Sequence, residues 1–334
     1  MTDFISVIGT RPQIMKVDLT WNVNHKVIWT GQHHDHFMKK IFFDDMDIAG
    51  FDYELDTTDL VRMIQRIRTI LKKEKPKAVI VYGDCRSTLA GAIAAHELDI
   101  HIIHVEAGMR CYRRDMPEER IRTIVDHLST VFFCTDYNAV KNLESEKLRE
   151  NIYVVGNTMF DSFNTFCPMT KSKDYKEYSY LSIHRQENAD SKIRLENIFE
   201  GIESCDEKFK FPIHPRVLKM MNEFNIKLPD NVHAIKPLSY KRNLNLISNA
   251  KKVLTDSGGV QNEAYWMGVP CGILRRETEW KGFVEDGWSV LVDDDPIDIE
   301  RFMKRKFSST VSRPNMPKFG AKKKIKNILH EIYG

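Results

Sequence analysis

The sequence predicts an α/β protein built from two Rossmann-like, doubly wound lobes with a ligand cleft between them. Three observations carry this expectation. Short β-rich runs alternate with longer helical periods along the chain. Several of the runs, such as Ala78–Tyr82, are continuously apolar, as parallel strands covered on both faces require. The 334 residues also hold twelve candidate strands, too many for one compact unit.

The first series of strands is read at Phe4–Ile8, Lys26–Thr30, Ala78–Tyr82, Ile102–Val105, Val131–Cys134 and Tyr153–Val155. Helical periods fall between them, for example at Leu60–Lys73 and Glu118–Leu128. The second series is read at Tyr180–Ile183, Phe211–Ile213, His233–Ile235, Lys252–Leu254, Cys271–Leu274 and Ser289–Val292. Between the two series, Cys167–Lys176 is polar, contains Pro168 and lacks periodicity, which places the break there. The expected organisation is an N-terminal lobe over residues 1–166, a C-terminal lobe over 167–317 and a closing helix over 318–334. In that tail Ile325, Ile328, Leu329 and Ile332 recur at helical spacing. The helix is therefore expected to pack back on the N-terminal lobe, with its lysines as a solvated face. Two such lobes facing one another put a ligand at the carboxyl ends of both sheets.

Composition narrows the function classes. Apolar residues make up 42% and charged residues 29%, the balance of a folded chain rather than a disordered one. The net charge of +3 is small and evenly spread, which argues against a nucleic-acid partner. No apolar stretch approaches the roughly 20 residues of a membrane span. The opening Met-Thr-Asp-Phe-Ile-Ser-Val-Ile-Gly has no basic region and does not read as a secretion signal. The cysteines Cys85, Cys111, Cys134, Cys167, Cys205 and Cys271 are scattered, with no Cys-x-x-Cys. That pattern points to reduced thiols in a cytoplasm.

Candidate site residues cluster after strands. Gly9-Thr10-Arg11-Pro12-Gln13-Ile14-Met15-Lys16 turns from the first strand into a helix, placing Arg11 and Lys16 where anions bind. In Asp256-Ser257-Gly258-Gly259-Val260-Gln261-Asn262-Glu263, a buried strand runs through Ser-Gly-Gly into a helix. The two glycines allow close approach to a diphosphate, and Glu263, one turn on, can accept from ribose hydroxyls. Asp84 and Glu106 end neighbouring strands of the first lobe, and Glu118 follows in Asp115-Met116-Pro117-Glu118-Glu119. Glu118 also fits a reciprocal helix cap with Asp115. Three acids facing a cleft suit proton transfer, because repulsion and burial raise a carboxyl pKa. His184-Arg185 and His214-Pro215-Arg216 follow two strands of the second lobe and read as a polyanion site. His33-His34-Asp35-His36 has ligand-like spacing but no evident fourth partner, so no metal is expected.

Together these motifs resemble the UDP-N-acetylglucosamine 2-epimerase family, whose fold is the two-lobed glycosyltransferase-B-like one. The resemblance spans nearly the whole chain. It rests on Gly9-Thr10-Arg11-Pro12, Thr30-Gly31-Gln32-His33, Gly83-Asp84, His104-Val105-Glu106-Ala107-Gly108-Met109-Arg110, Pro117-Glu118-Glu119, Asp126-His127, Gly156-Asn157-Thr158, His184-Arg185, Asp256-Ser257-Gly258-Gly259-Val260-Gln261 and Thr278-Glu279-Trp280. The resemblance implies loss of the C2 proton and of UDP from a UDP-sugar, giving 2-acetamidoglucal. In the non-hydrolysing branch UDP then adds back, with the proton delivered to the other face. By that analogy Asp84, Glu106 and Glu118 carry the proton transfers, with His184 at the leaving diphosphate. Arg11, Lys16, Arg122, Arg185, His214, Arg216, Ser257, Gly258, Gly259 and Glu263 hold the substrate. No cofactor is needed in this scheme, and a cytoplasmic homodimer is implied.

The chain departs from the family pattern at several points. Gln13 stands where the family usually has Glu, Ile121 where it has an amide, and Trp280 where some members have Arg. Only Val17–His25 separates the first helix from the next strand, and Asp35 stands where a polar amide would serve an activating second UDP-sugar. The rival readings are a hydrolysing epimerase, an epimerase of a diacetamido uronic acid nucleotide, a glycosyltransferase, and a catalytically dead UDP-sugar-binding protein.

Overall fold

The computed structural model of the chain describes residues 2–17, 24–32, 50–167, 177–307 and 312–334. Two compact units separate: Met1–Phe166 with Pro317–Gly334, and Cys167–Met316.

The first unit carries β1 (Phe4–Ile8), β2 (His25–Trp29), β3 (Tyr53–Glu54), β4 (Ala78–Tyr82), β5 (His101–Ala107), β6 (Val131–Cys134) and β7 (Ile152–Val154). They form one parallel sheet in the order β3-β2-β1-β4-β5-β6-β7. Every residue of β1 and β4 is buried, which explains why both are apolar apart from Ser6, whose hydroxyl lies 2.8 Å from that of Tyr82. On one face, Met63, Ile67 and Leu71 of the helix Leu60–Glu74 pack at four-residue spacing in the same core as Ile5, Val7, Val79 and Val81. Asp59 caps that helix by accepting from Arg62 N, and Lys75 ends it in the left-handed conformation.

The second unit carries β8 (Ser179–Ser182), β9 (Phe209–Pro212), β10 (Val232–Ile235), β11 (Val253–Thr255), β12 (Cys271–Ile273) and β13 (Ser289–Leu291). Its order is β10-β9-β8-β11-β12-β13, again all parallel. Leu181, Phe209, Phe211 and Leu254 meet Leu195, Ile198, Phe302 and Val217 in its core.

Both sheets reverse their winding once, between β1 and β4 and between β8 and β11. Such a reversal separates the loops at the carboxyl edge and leaves room for a ligand there. Strand ends differ from the sequence reading by a residue or two, because flanking residues take part in pairing without being apolar. β3 was not anticipated. It is two residues long, pairs among the described residues with β2 alone, and is too short to show a period.

The helix Ala321–Tyr333 belongs to the first unit. The Asp161 carboxylate accepts from Gly320 N and Lys322 N at 2.8 Å each, and Lys322 Nζ donates to Val17 O at 2.9 Å. Ala321, Ile325 and Leu329 are its buried row, whereas Ile332 is 39% exposed. The expected place of Ile332 is taken by Tyr333, whose ring stands edge-on to Phe4.

Gly9, at the end of β1, shows how tightly this edge is built. A Cβ there would lie 2.0 Å from both Ser87 Oγ and Thr30 Oγ1, which are hydrogen-bonded to each other at 2.7 Å. Gly9→Ala is therefore expected to cost about 3 kcal/mol by overpacking. A thermal melt should show a drop of roughly 5–10 °C. An unchanged melting temperature would mean that the two hydroxyls can separate freely.

Candidate active site

The carboxyl edge of the first sheet collects a charged cluster around Gly83. The chain turns there at φ +64°, and a Cβ would meet Lys16 Nζ at 3.1 Å and Glu106 Oε1 at 3.9 Å. Lys16 Nζ pairs with Glu106 Oε2 at 2.7 Å, with both side chains largely buried. Burial pulls the Lys16 pKa down, but Glu106 and Asp84 together outweigh it and leave the value raised above 10.5. Asp84 is in turn paired with Arg122 through Nη2, and Arg122 Nη1 reaches Glu119 Oε2 at 3.0 Å.

Glu106 is held in an unusual conformation. It has φ +70°, in the left-handed region, at the point where the β5–β6 register slips between Val105 and Ala107. The bulge re-aims one side chain out of the strand's alternation, and that side chain is the carboxylate facing Lys16. Beneath it, His104 Nδ1 lies 2.6 Å from Asp126 Oδ1, and Nε2 donates to the Gly83 carbonyl at 2.8 Å. Asp126 is fully buried and also accepts from Gly108 N at 3.1 Å and Arg110 Nη1 at 2.7 Å. Burial raises its pKa, yet His104 and Arg110 win and hold it below the usual carboxylate value. The turn carrying Asp84 and the bulge carrying Glu106 are thus fixed by one network.

Several expectations need correction here. Asp84 and Glu106 do not stand as a bare pair of acids; Lys16 is beside Glu106 and Arg122 beside Asp84. The cap between Asp115 and Glu118 is absent. Pro117 takes the first helical position, so Met116 is the cap residue, and Asp115 pairs with Arg113. Glu118 is half-buried, with no side-chain hydrogen bond among the described residues. The buried acid of the pair is Glu119, which accepts from Cys111 N at 3.0 Å and Tyr112 N at 2.7 Å. Glu119 and Asp126 were missed as site-forming residues, since nothing local distinguishes a buried acid from a surface one.

The departures from the family pattern fit locally. Gln13 accepts from Gly9 N at 2.8 Å and donates through Nε2 to Tyr82 O at 2.8 Å and Thr88 Oγ1 at 3.0 Å. A carboxylate could not make the donation to Tyr82 O, so the amide suits this turn. Ile121 packs against the first core. The Arg11 side chain, His33-His34-Asp35-His36 and most of Val17–His25 lie outside the described residues. Among the described residues, no group of three or more His, Cys, Asp or Glu is arranged to hold a metal ion.

The second unit brings its predicted residues to the carboxyl edge at β8 and β11. Ser257 caps the helix Gly258–Met267, its hydroxyl accepting from Val260 N at 3.4 Å. A Cβ on Gly258 would lie 3.0 Å from Glu279 Oε1 and 3.7 Å from Trp280 Nε1, so a side chain there would press on the Glu279 carboxylate. Glu279 is itself paired with the buried Arg275 at 2.9 Å. Arg185 Nη2 stands 3.9 Å from Glu279 Oε1.

His184 Nδ1 lies 3.0 Å from Asp256 Oδ1, and its ring is 6.1 Å from that of His214. His214 Nδ1 accepts from Arg216 N at 3.2 Å and caps its own helix. Arg216 pairs with Asp190 at 2.5 Å, so its guanidinium already has an anion beside it. Glu263 is 4% exposed, and burial pushes its carboxyl up to about 8, with a hydrogen bond to Tyr240 opposing. It is neutral at pH 7, a property the sequence did not reveal.

The chemistry available is therefore divided. The first unit offers two carboxylates, each held by an adjacent cation, at one turn. The second offers a glycine-lined helix start, a histidine with one nitrogen held, and a buried carboxyl.

Comparison with known proteins shows the family. The family model described as UDP-N-acetylglucosamine 2-epimerase matches residues 16–332. A Methanococcus maripaludis protein named a UDP-N-acetylglucosamine 2-epimerase homolog is 40% identical over 313 residues, 86% of this chain and 88% of that one. A Pseudomonas aeruginosa UDP-2,3-diacetamido-2,3-dideoxy-D-glucuronate 2-epimerase is 36% identical over 311 residues, 86% of this chain and 87% of that one. The crystal structure of the Methanocaldococcus jannaschii UDP-GlcNAc 2-epimerase with UDP-GlcNAc and UDP has a TM-score of 0.90 at 35% identity, covering 98% of this chain and 99% of that one. The chain belongs to the UDP-N-acetylglucosamine 2-epimerase family.

Proposed function

We propose that the chain interconverts UDP-N-acetylglucosamine and UDP-N-acetylmannosamine. The observation that carries the reading is the Lys16–Glu106 and Arg122–Asp84 pairing around one turn of the first unit. A carbon-bound proton needs a fixed base, and these pairs hold two carboxylates in place. One carboxylate of the set Asp84, Glu106 and Glu118 takes the C2 proton. The electron pair forms the C1–C2 double bond as the C1–oxygen bond breaks and UDP leaves. UDP then adds back at C1, and a second acid of the set returns a proton to the opposite face of C2.

In this reading the helix start at Ser257, Gly258 and Gly259 holds the diphosphate, helped by Arg11, Arg185, His214 and Arg216. Glu263 accepts from the ribose, and His184 stands at the leaving oxygen. Lys16 and Arg122 orient the acids as well as the ligand. The protein acts as a cytoplasmic homodimer, a setting that suits its six unbridged thiols.

Incubation with UDP-N-acetylglucosamine in heavy water, followed by NMR, tests the reaction. The expected product is UDP-N-acetylmannosamine with deuterium at C2. Free N-acetylmannosamine as the only sugar would shift the reading to a hydrolysing enzyme. The Pseudomonas relative's name makes a UDP-diacetamido-glucuronate the substrate to run in parallel. Absence of exchange with both substrates would remove the proposal.

A further inference from the structure

The strand-end segment Asp256-Ser257-Gly258-Gly259 begins with a carboxylate whose partners all lie within the protein. Asp256 is fully buried. Its oxygens accept from His184 N at 3.1 Å each, from Arg185 N at 3.0 Å and from Asn188 Nδ2 at 3.1 Å. Oδ1 also stands 3.0 Å from His184 Nδ1. Every group around it is a donor, so the carboxylate is fully used within the protein.

The geometry points to Asp256 as a positioning residue that sets the tautomer and aim of His184. This rests on the role of His184 given above. A carboxylate accepts and does not donate, so the nitrogen facing it carries the hydrogen. The other nitrogen, Nε2, is left for a ligand, and the His184 side chain is 40% exposed on that account. The two backbone bonds fix the chain at 184 and 185, so the ring cannot swing with the loop. Asp256 also sits immediately before Ser257, the cap of the glycine-rich helix. One buried acid therefore ties the histidine of β8 to the anion-binding turn of β11, and the distance between them is set by the protein before any ligand arrives.

Sequence spacing hides this, because His184 and Asp256 are 72 residues apart. Burial would push the Asp256 carboxyl up, but His184 and the backbone N–H groups reverse the effect and keep it below 3.8.

The test is Asp256→Asn. An amide can donate as well as accept, which permits the other ring tautomer while keeping shape. The expected result is a fall of about 100-fold in C2 exchange, with UDP affinity within about threefold of the unaltered protein. Equal losses of turnover and UDP affinity would overturn the proposal, since Asp256 would then only hold the turn together. So would turnover unchanged by the substitution.

A measurement on the unaltered protein covers the case in which the variant does not fold. With ¹⁵N-labelled histidine and His184→Asn for assignment, the neutral His184 ring should show Nδ1–H with Nε2 bare. A ring showing Nε2–H with bare Nδ1 would overturn the proposal. If the unaltered protein exchanges no C2 hydrogen, the reaction reading fails on its own, and the tautomer still decides the contact.

Discussion

Replacing Glu106 by glutamine is expected to lower C2 exchange by about 10³-fold while UDP affinity changes by less than about threefold. Glutamine keeps the size and the hydrogen-bonding reach of the side chain, so the bulge at Val105–Ala107 should persist. What it loses is the ability to take a proton. Lys16 would keep a hydrogen-bond acceptor but lose the charge opposite it at 2.7 Å, while the field of Asp84, which already contributes to its raised pKa, remains. The check is deuterium incorporation by NMR beside a calorimetric UDP titration. Exchange within threefold of the unaltered protein would make Glu106 only a counter-ion for Lys16. The strained backbone at Glu106, with φ +70°, would then have no chemical purpose.

The second large effect concerns stability. The Glu263 carboxyl is raised from 4.5 to about 8 by burial. The sign follows from which state holds the proton. Below about pH 4.5 both the folded and the unfolded chain are protonated at this site, and burial is harmless. Between about pH 4.5 and 8 the unfolded chain ionises while the folded chain does not, so stability falls as pH rises. Above pH 8 the penalty is complete, at most about 5 kcal/mol. Glutamine is neutral throughout. Glu263→Gln should therefore match the unaltered protein at pH 5 and gain several kcal/mol in denaturant melts at pH 9. A difference that does not vary with pH would show that burial does not govern this group.

The sequence was most legible where a residue's surroundings are mostly backbone. β1, β4 and β6 were bounded as observed because strands covered on both faces are almost wholly apolar, Ser6 being the one polar residue of the three. The turn at Ser257–Gly259 was legible because a cap followed by glycines leaves few conformations. Glu118 and its neighbour were not. Pro117 decides which residue begins the helix, and the helix then turns Glu119 inward to the backbone of Cys111 and Tyr112. Chain order alone gave no reason to prefer one acid over the other.

The chain by itself determined two parallel α/β units, the strand ends that carry charge, and the family to which it belongs. These follow from period, turn chemistry and motif order, all of which act over a few residues. Only the tertiary structure decided the pairings: Lys16 with Glu106, Arg122 with Asp84, His184 with Asp256, and Glu263 with its dry surroundings. The reason is that a charge's state depends on what stands within a few ångströms of it and how much water remains there. In parallel sheets those neighbours come from crossovers tens of residues away.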